Sequence, residues 1–263
     1  GRDERDMTSS TREVPDYTAL LNSDIRGKKI AVIGNVVKNI SNPETVKMFQ
    51  NLMDKLQEKG AIVDVYDFDN DMMRAILPAY FIIANCEATS NDSNLDGIRF
   101  GVREDGEDME AIMTNSRTKG FGPLIRRRFV IGSYGLFEEN QERVFRKAQK
   151  VRRVVVNAMD DCFKDYDAIV APASGNIAPF INKEEDQDQL SDQLSDEYLI
   201  VENYLAMGNF SGYPSMTVPM GFTEGCPIGV NITTKAWCES EMFNIGLAIE
   251  EITGYKDLKA EVK

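Results

Sequence analysis

Three short stretches decide the fold class: Lys29-Ile-Ala-Val-Ile-Gly34, Asn42-Pro43 and Ala61-Ile-Val-Asp-Val-Tyr66. The first and last are apolar runs of strand length, rich in β-branched residues. Between them Asn42-Pro43 reads as a helix cap followed by a first-turn proline. Val46, Phe49, Met53 and Leu56 then recur at helical spacing, and Gly60 closes the helix. Strand, helix and strand of these lengths make two parallel strands joined by a crossover helix, so the chain is of the α/β class.

Working outward, Asp167-Ala-Ile-Val-Ala-Pro172 reads as a third buried strand ending in proline. Further strands are expected at 215–219 and 228–233, between helices at 197–210 and 239–253. Met242, Ile245, Leu247, Ile249 and Ile252 give the last helix its buried side, and Gly254 ends it. Residues 79–90 form an apolar helical run. From Asp108 the pattern is helical, with an interruption at Gly120-Phe-Gly122. A long helix follows from about Glu139 to Asp165, striped by Val144, Ala148, Val151, Val155, Ala158 and Cys162. Residues 1–27 read as an irregular lead-in. Residues 183–197 are acidic, carry a small Gln-Leu-Ser-Asp repeat, and read as a mobile surface loop. There is no tandem repeat and no linker signature, so 1–263 is read as one domain.

Composition removes several chemistries. Histidine is absent, which excludes a Ser-His-Asp triad, a Cys-His dyad and a His-based metal site within these 263 residues. No glycine pattern fits a phosphate loop. The four cysteines, Cys86, Cys162, Cys226 and Cys238, form no close pair, so free thiols in a reducing cytoplasmic setting are expected. No run of about 18 apolar residues is present, so no membrane span is expected. The charged start, Gly1-Arg-Asp-Glu-Arg-Asp-Met, is not a secretory signal. The net charge of −13 disfavours direct contact with a polyanion. The dense basic clusters are Arg126-Arg127-Arg128 and Lys147 to Arg153; the second reads as a solvated helix face.

Other segments carry a resemblance. Glu202-Asn-Tyr-Leu-Ala-Met-Gly-Asn-Phe-Ser-Gly-Tyr-Pro214 leads into Ser-Met-Thr-Val-Pro219-Met-Gly221, and Gly225-Cys-Pro227-Ile-Gly229-Val-Asn follows. This resembles the core pattern of the amidase signature family. Ala79-Tyr-Phe-Ile-Ile-Ala-Asn-Cys-Glu-Ala-Thr-Ser-Asn91, Leu95-Asp-Gly-Ile-Arg-Phe-Gly101, Arg117-Thr-Lys-Gly-Phe-Gly122 and Lys147-Ala-Gln-Lys-Val-Arg152 are similar to the A subunits of glutamyl-tRNA(Gln)/aspartyl-tRNA(Asn) amidotransferases within that family. The resemblance implies part of the amidase-signature fold: a central mixed sheet covered by helices, without the N-terminal catalytic half. That family uses a Ser–Ser–Lys arrangement on a Gly/Ser-rich loop. Ser9-Ser10, Ser90 and Ser211 do not sit in such a context, so no catalytic residue is expected in this stretch.

What the resemblance does imply is recognition of glutamine. An arginine grips the α-carboxylate, an acid meets the α-ammonium, and a tyrosine lies beside them. These roles fall on Arg128, Glu202 and Tyr80. The family commonly has Asp where this chain has Glu202. Read without the motif, Arg128 is a solvated helix arginine, Glu202 a helix-surface acid and Tyr80 a core residue. The implied partners are glutamine, the other amidotransferase subunits, and tRNA indirectly through one of those partners; no membrane and no cofactor are implied for this chain. A general amidase of the same family and a non-catalytic scaffold are the alternatives.

Overall fold

The computed structural model describes residues 1–178 and 195–259. Most of the acidic stretch 183–197 lies outside the described residues. The chain divides into two compact units: Gly1–Phe68 with Met159–Lys263, and Asp69–Ala158.

The first unit is built on a sheet. Its described strands are β1 (Lys29–Ile33), β2 (Ile62–Tyr66), β3 (Ala168–Pro172), β4 (Ser215–Thr223) and β5 (Cys226–Thr234), in the spatial order β2-β1-β3-β5-β4. β1 runs parallel to β2 and β3, whereas β5 is antiparallel to β3 and β4. This is the mixed α/β sheet that the sequence leads one to expect. Two short helices, α1 (Tyr17–Leu20) and α2 (Gly34–Lys38), have 4 and 5 residues and are too short to show a periodicity in sequence.

The crossover helix α3 (Pro43–Glu58) starts where its cap signal lies: the Asn42 side chain accepts from the Glu44 N–H, and Pro43 opens the first turn. Gly60 takes a φ of +95° beyond its end. Alternation along the strands then sorts the core. Ile30, Val32, Val170, Val230 and Ile232 belong to one apolar cluster with Phe49, Leu52 and Leu56 of α3 and with residues of the last helix, Glu239–Thr253. The alternate residues Ile33, Ile169, Ala171, Asn231 and Thr233 line the opposite side with Met159, Tyr204 and Met207.

β4 continues past Pro219 instead of ending there. The register shifts between Pro219 and Gly221, a bulge that leaves Met220 out of the ladder directly after the proline, on a strand at the sheet edge where a missing donor is tolerated. Glu224 and Gly225 both have positive φ, 51° and 77°, which makes the tight turn joining β4 to β5.

The second unit is helical: α4 (Asn70–Asn91), α5 (Met109–Gly120), α6 (Pro123–Leu136), α7 (Glu138–Gln141) and most of α8 (Lys147–Cys162). α4 begins well before residue 79. Asp69 caps it by accepting from the Met72 N–H at 2.8 Å, and Pro78 sits within it. The expected helix from Glu139 to Asp165 is broken up: α7, then a π-helical turn at Glu142–Arg146, then α8. All of the apolar stripe except Val144 lies within α8, beyond the turn, so its spacing does not betray the turn. The expected helix 197–210 is likewise a π-helical turn at Glu197–Val201, a non-helical bend, and α9 (Ala206–Ser211). There Asn203 Nδ2 donates to the Tyr198 carbonyl at 2.6 Å, a local bond that competes with continuous helix. The last helix is α10 (Glu239–Thr253), closed by Gly254 at a φ of +72°.

Phe49 is 1% exposed at the centre of the first unit, whereas Val65 on β2 is 67% exposed. Phe49→Ala lowers the unfolding free energy by about 3–5 kcal/mol, through lost burial and a residual cavity, in urea titrations. Val65→Ala changes it by roughly 0.5 kcal/mol or less.

Candidate functional site

Two of the three expected site residues, Tyr80 and Arg128, lie in the helical unit. Tyr80 is half-buried in mid-α4, beside Phe81. Arg128 is exposed on α6, with its guanidinium 5.7 Å from the centre of the Phe81 ring. A cation over an aromatic face at an exposed position contributes about 0.5–1 kcal/mol, enough to bias the rotamer without sequestering the fork. Among the described residues Arg128 makes no ion pair, so its paired N–H groups remain available for a carboxylate.

This placement depends on how closely α4 and α6 approach. Gly132 and Gly135 are the buried positions of α6. A Cβ on Gly132 would collide with the Asn85 carbonyl and the Thr89 hydroxyl, and one on Gly135 would lie 2.7 Å from Cys86 Sγ. Two bonds cross the contact: Thr89 Oγ1 donates to the Phe129 carbonyl at 3.4 Å, and Cys86 Sγ donates to the Gly132 carbonyl at 3.6 Å. Two glycines therefore let the backbones touch, and α6 is held in the rotation that lays Arg128 over Phe81.

Arg117 ties the ends of these helices together. Its guanidinium lies 5.0 Å from the Phe121 ring and 5.2 Å from the Phe129 ring. Its Nη1 donates to the carbonyls of Asp92 at 2.8 Å and Leu95 at 3.1 Å. Phe121 and Phe129 meet edge to face, 4.9 Å apart. Arg117 opens the Arg-Thr-Lys-Gly-Phe-Gly motif, yet sequence reasoning gave it no role.

Asp96, in the adjoining Asp-Gly-Ile-Arg-Phe-Gly segment, was likewise passed over. It is 2% exposed and accepts from the N–H groups of Ile98 and Arg99 and from Arg99 Nε, each at 2.9 Å. The Arg99 and Ile98 backbone bonds, then the Arg99 side chain, hold its carboxyl well below the usual carboxylate range. Gly97 has a φ of +76°, and a Cβ there would strike Ser116, which accepts from the Glu104 N–H at 2.9 Å.

Glu202 belongs to the sheet unit, directly after the π-helical turn Glu197–Val201. It is exposed, as is expected of a surface acid. Its carboxylate is paired in space with a second one: a Cβ on Gly175 would lie 3.3 Å from Glu197 Oε1 and 3.6 Å from Glu202 Oε1. Glu197 is held by the Ser41 N–H at 3.1 Å and the Ser41 hydroxyl at 2.7 Å. Tyr204 anchors the bend, donating to the Pro172 carbonyl at 2.8 Å. Sequence reasoning missed Glu197, because the two acids lie five positions apart along a segment read as plain helix.

All four cysteines are free thiols. Burial pushes the Cys162 thiol up to about 12 and raises Cys86 as well, so both stay protonated near neutral pH and are poor nucleophiles. Among the described residues there is no cluster of three His, Cys, Asp or Glu side chains able to hold a metal ion. No described helix is long and apolar enough to cross a membrane.

Known proteins match this arrangement across nearly the whole chain. A family model described as Amidase matches residues 1–243. The chain belongs to the amidase family. Among the glutamyl-tRNA(Gln) amidotransferase A subunits of that family, the protein of Lactiplantibacillus plantarum is 35% identical over 256 residues, covering 96% of this chain and 50% of that protein. Its counterpart from Pseudomonas syringae pv. syringae is 33% identical, with 97% and 51% covered. The crystal structure of the Thermotoga maritima counterpart superposes with a TM-score of 0.69 at 28% identity, over 98% of this chain and 49% of that one. The peptide amidase of Stenotrophomonas maltophilia shares the fold at 24% identity, with a TM-score of 0.68 over 97% and 49%. The chain thus spans about half the length of the amidase-family relatives it matches.

The low carboxyl pKa of Asp96 gives a pH test. A folded-state pKa below the usual value contributes stability that is present above that value and is lost as the pH falls through the folded one. Wild type therefore protects the amides of residues 96–101 from hydrogen exchange better than Asp96→Asn does at neutral pH. The gap narrows steadily as the pH falls below the ordinary carboxylate range; a gap independent of pH contradicts this role.

Proposed function

We propose that these residues are the C-terminal portion of the glutaminase component of a tRNA-dependent amidotransferase, where they contribute recognition of glutamine. The observation that carries the reading is the lie of Arg128: an exposed guanidinium without an ion-pair partner among the described residues, steadied over Phe81 beside Tyr80. In this reading its two parallel N–H groups take the α-carboxylate of glutamine. Glu202 takes the α-ammonium, so that a zwitterionic amino acid is preferred over a plain amide. Tyr80 lines the same site. Glu in place of the Asp common in the family keeps the charge and adds one methylene.

The similarity of the chain to glutamyl-tRNA(Gln) amidotransferase A subunits supports this assignment. In this reading the nucleophile and its base lie in sequence outside these 263 residues. Ammonia released there passes to a partner protein of the complex, which amidates Glu or Asp misacylated on tRNA. The tRNA is held by that partner, in keeping with the net charge of −13. No cofactor in this chain takes part, and the setting is the cytoplasm.

Two measurements test the proposal. Residues 1–263 alone release no ammonia from glutamine, because nucleophilic catalysis needs an activated nucleophile held by a positioned base. Turnover abolished by mutating one of this chain's own serines overturns that. In the complete enzyme, Arg128→Ala raises the glutamine KM by on the order of 30-fold or more, as loss of one partner of a desolvated charge pair costs about 2–5 kcal/mol. Hydrolysis of small uncharged amides persists in that variant. Unchanged glutamine kinetics in Arg128→Ala, or in Glu202→Gln, point instead to a general amidase of the same family.

A further inference from the structure

Helix α6 is packed inside out. The positions it buries are Gly132 and Gly135, while large side chains such as Val130, Ile131 and Tyr134 are exposed. Val130, Tyr134 and Phe137 are 71%, 50% and 54% exposed and recur at i, i+4 and i+7, so they form one outward stripe. Arg126 and Arg127 lie on the same outward side at its N-terminal end, and Glu138 and Glu139 follow at its C-terminal end; all four are exposed. Among the described residues none of these four charges has an ion-pair partner. Contiguous exposed apolar surface rimmed by charge marks an interaction site rather than a solvated face.

The order of charges along the stripe selects the occupant. It is basic at one end and apolar in the middle; at the other end Glu138 and Glu139 open α7, while Arg143 Nη2 is turned onto the Tyr134 hydroxyl at 3.0 Å. The two end pairs thus make the face complementary to itself when reversed. We propose that this face docks a second copy of the chain, α6 against α6, antiparallel about a two-fold axis. In that pairing Val130 meets Tyr134 of the second copy across the axis. Arg126 and Arg127 reach Glu138 and Glu139 of the second copy, and both ends are satisfied at once. A two-fold contact uses the same patch on both partners, which is what self-complementarity requires. Phe137 of one copy also comes under the arginines of the other, where a guanidinium favours an aromatic face.

A nucleic acid would use the arginines but leave the apolar stripe and the two glutamates unmatched. A single helix-to-helix contact falls at the small end of interface sizes, below about 1,200 Å² in total, so the association is concentration-dependent rather than obligate. The net charge of −13 per copy opposes it at long range, and near-physiological salt, with a screening length of about 8 Å, removes most of that opposition.

The test is sedimentation velocity on residues 1–263 across a concentration series reaching the hundred-micromolar range. Wild type moves from monomer toward dimer. Val130→Glu, at an exposed position that leaves the α4 contact alone, stays monomeric with an unchanged melting temperature. The double variant Arg126→Glu, Arg127→Glu loses self-association, as does Glu138→Arg, Glu139→Arg, because each then carries one sign of charge at both ends. An equimolar mixture of the two double variants associates, since both ends of the heterodimer pair opposite charges. The quadruple variant carrying all four changes dimerises on its own again. A wild type that is monomeric throughout overturns the proposal and leaves the face to the rest of a longer chain or to another partner. So does a dimer indifferent to Val130→Glu, or a mixture and a quadruple variant that both fail to recover.

Discussion

The contact between α4 and α6 is the constraint on which the placement of Arg128, and with it the proposed recognition of glutamine, rests. It is made by absence: with no Cβ at Gly132 or Gly135, one helix backbone seats against Asn85, Cys86 and Thr89 of the other. Any larger residue there separates the helices or rotates α6. Since Arg128 lies one turn before Gly132, either movement takes its guanidinium off Phe81. A binding group at the exposed end of a helix contact is thus positioned by the buried part of the same contact. The cost of ordering a long side chain is reduced before a ligand arrives.

Arg117 and Asp96 extend that rigidity to the ends of the helices. Arg117 commits its charge to two carbonyls and two aromatic rings, and Asp96 commits its charge to a turn. Neither needs to touch a substrate for its loss to be felt at the site. Their chemistry explains why charged residues cluster in the Leu95–Gly101 and Arg117–Gly122 segments while Arg128 sits downstream of both.

Legibility from sequence tracked the range of the forces involved. The βαβ unit was readable because every signal in it is local: an apolar run, an Asn-Pro cap and a glycine in the left-handed region. The strands at 215–219 and 228–233 were readable as strands, although the bulge after Pro219 lets β4 run on to Thr223 and their antiparallel pairing was not read. The π-helical turns were not readable, since the stripe from Ala148 to Cys162 lies wholly within α8 and only Val144 of it falls in the turn at 142–146. The boundaries of the two units fall at Phe68 and Ala158, the second within α8, and neither carries a Gly-, Pro- or Ser-rich signature. Arg128 and Glu202 were named through motif context alone. What fixes Arg128 is a pair of glycines four and seven residues on, and what accompanies Glu202 is Glu197, brought next to it around Gly175.

The central claim is that Arg128 exists to hold an α-carboxylate. The most direct measurement deletes that carboxylate from the ligand and the guanidinium from the protein in the same cycle. In the complete enzyme, wild type should prefer glutamine over its decarboxylated analogue 4-aminobutanamide by about 100-fold in kcat/KM, a difference of about 2.7 kcal/mol. Arg128→Ala should treat the two alike, since the partner of the deleted group is already gone. An Arg128→Ala enzyme that keeps the full preference for glutamine would contradict the account.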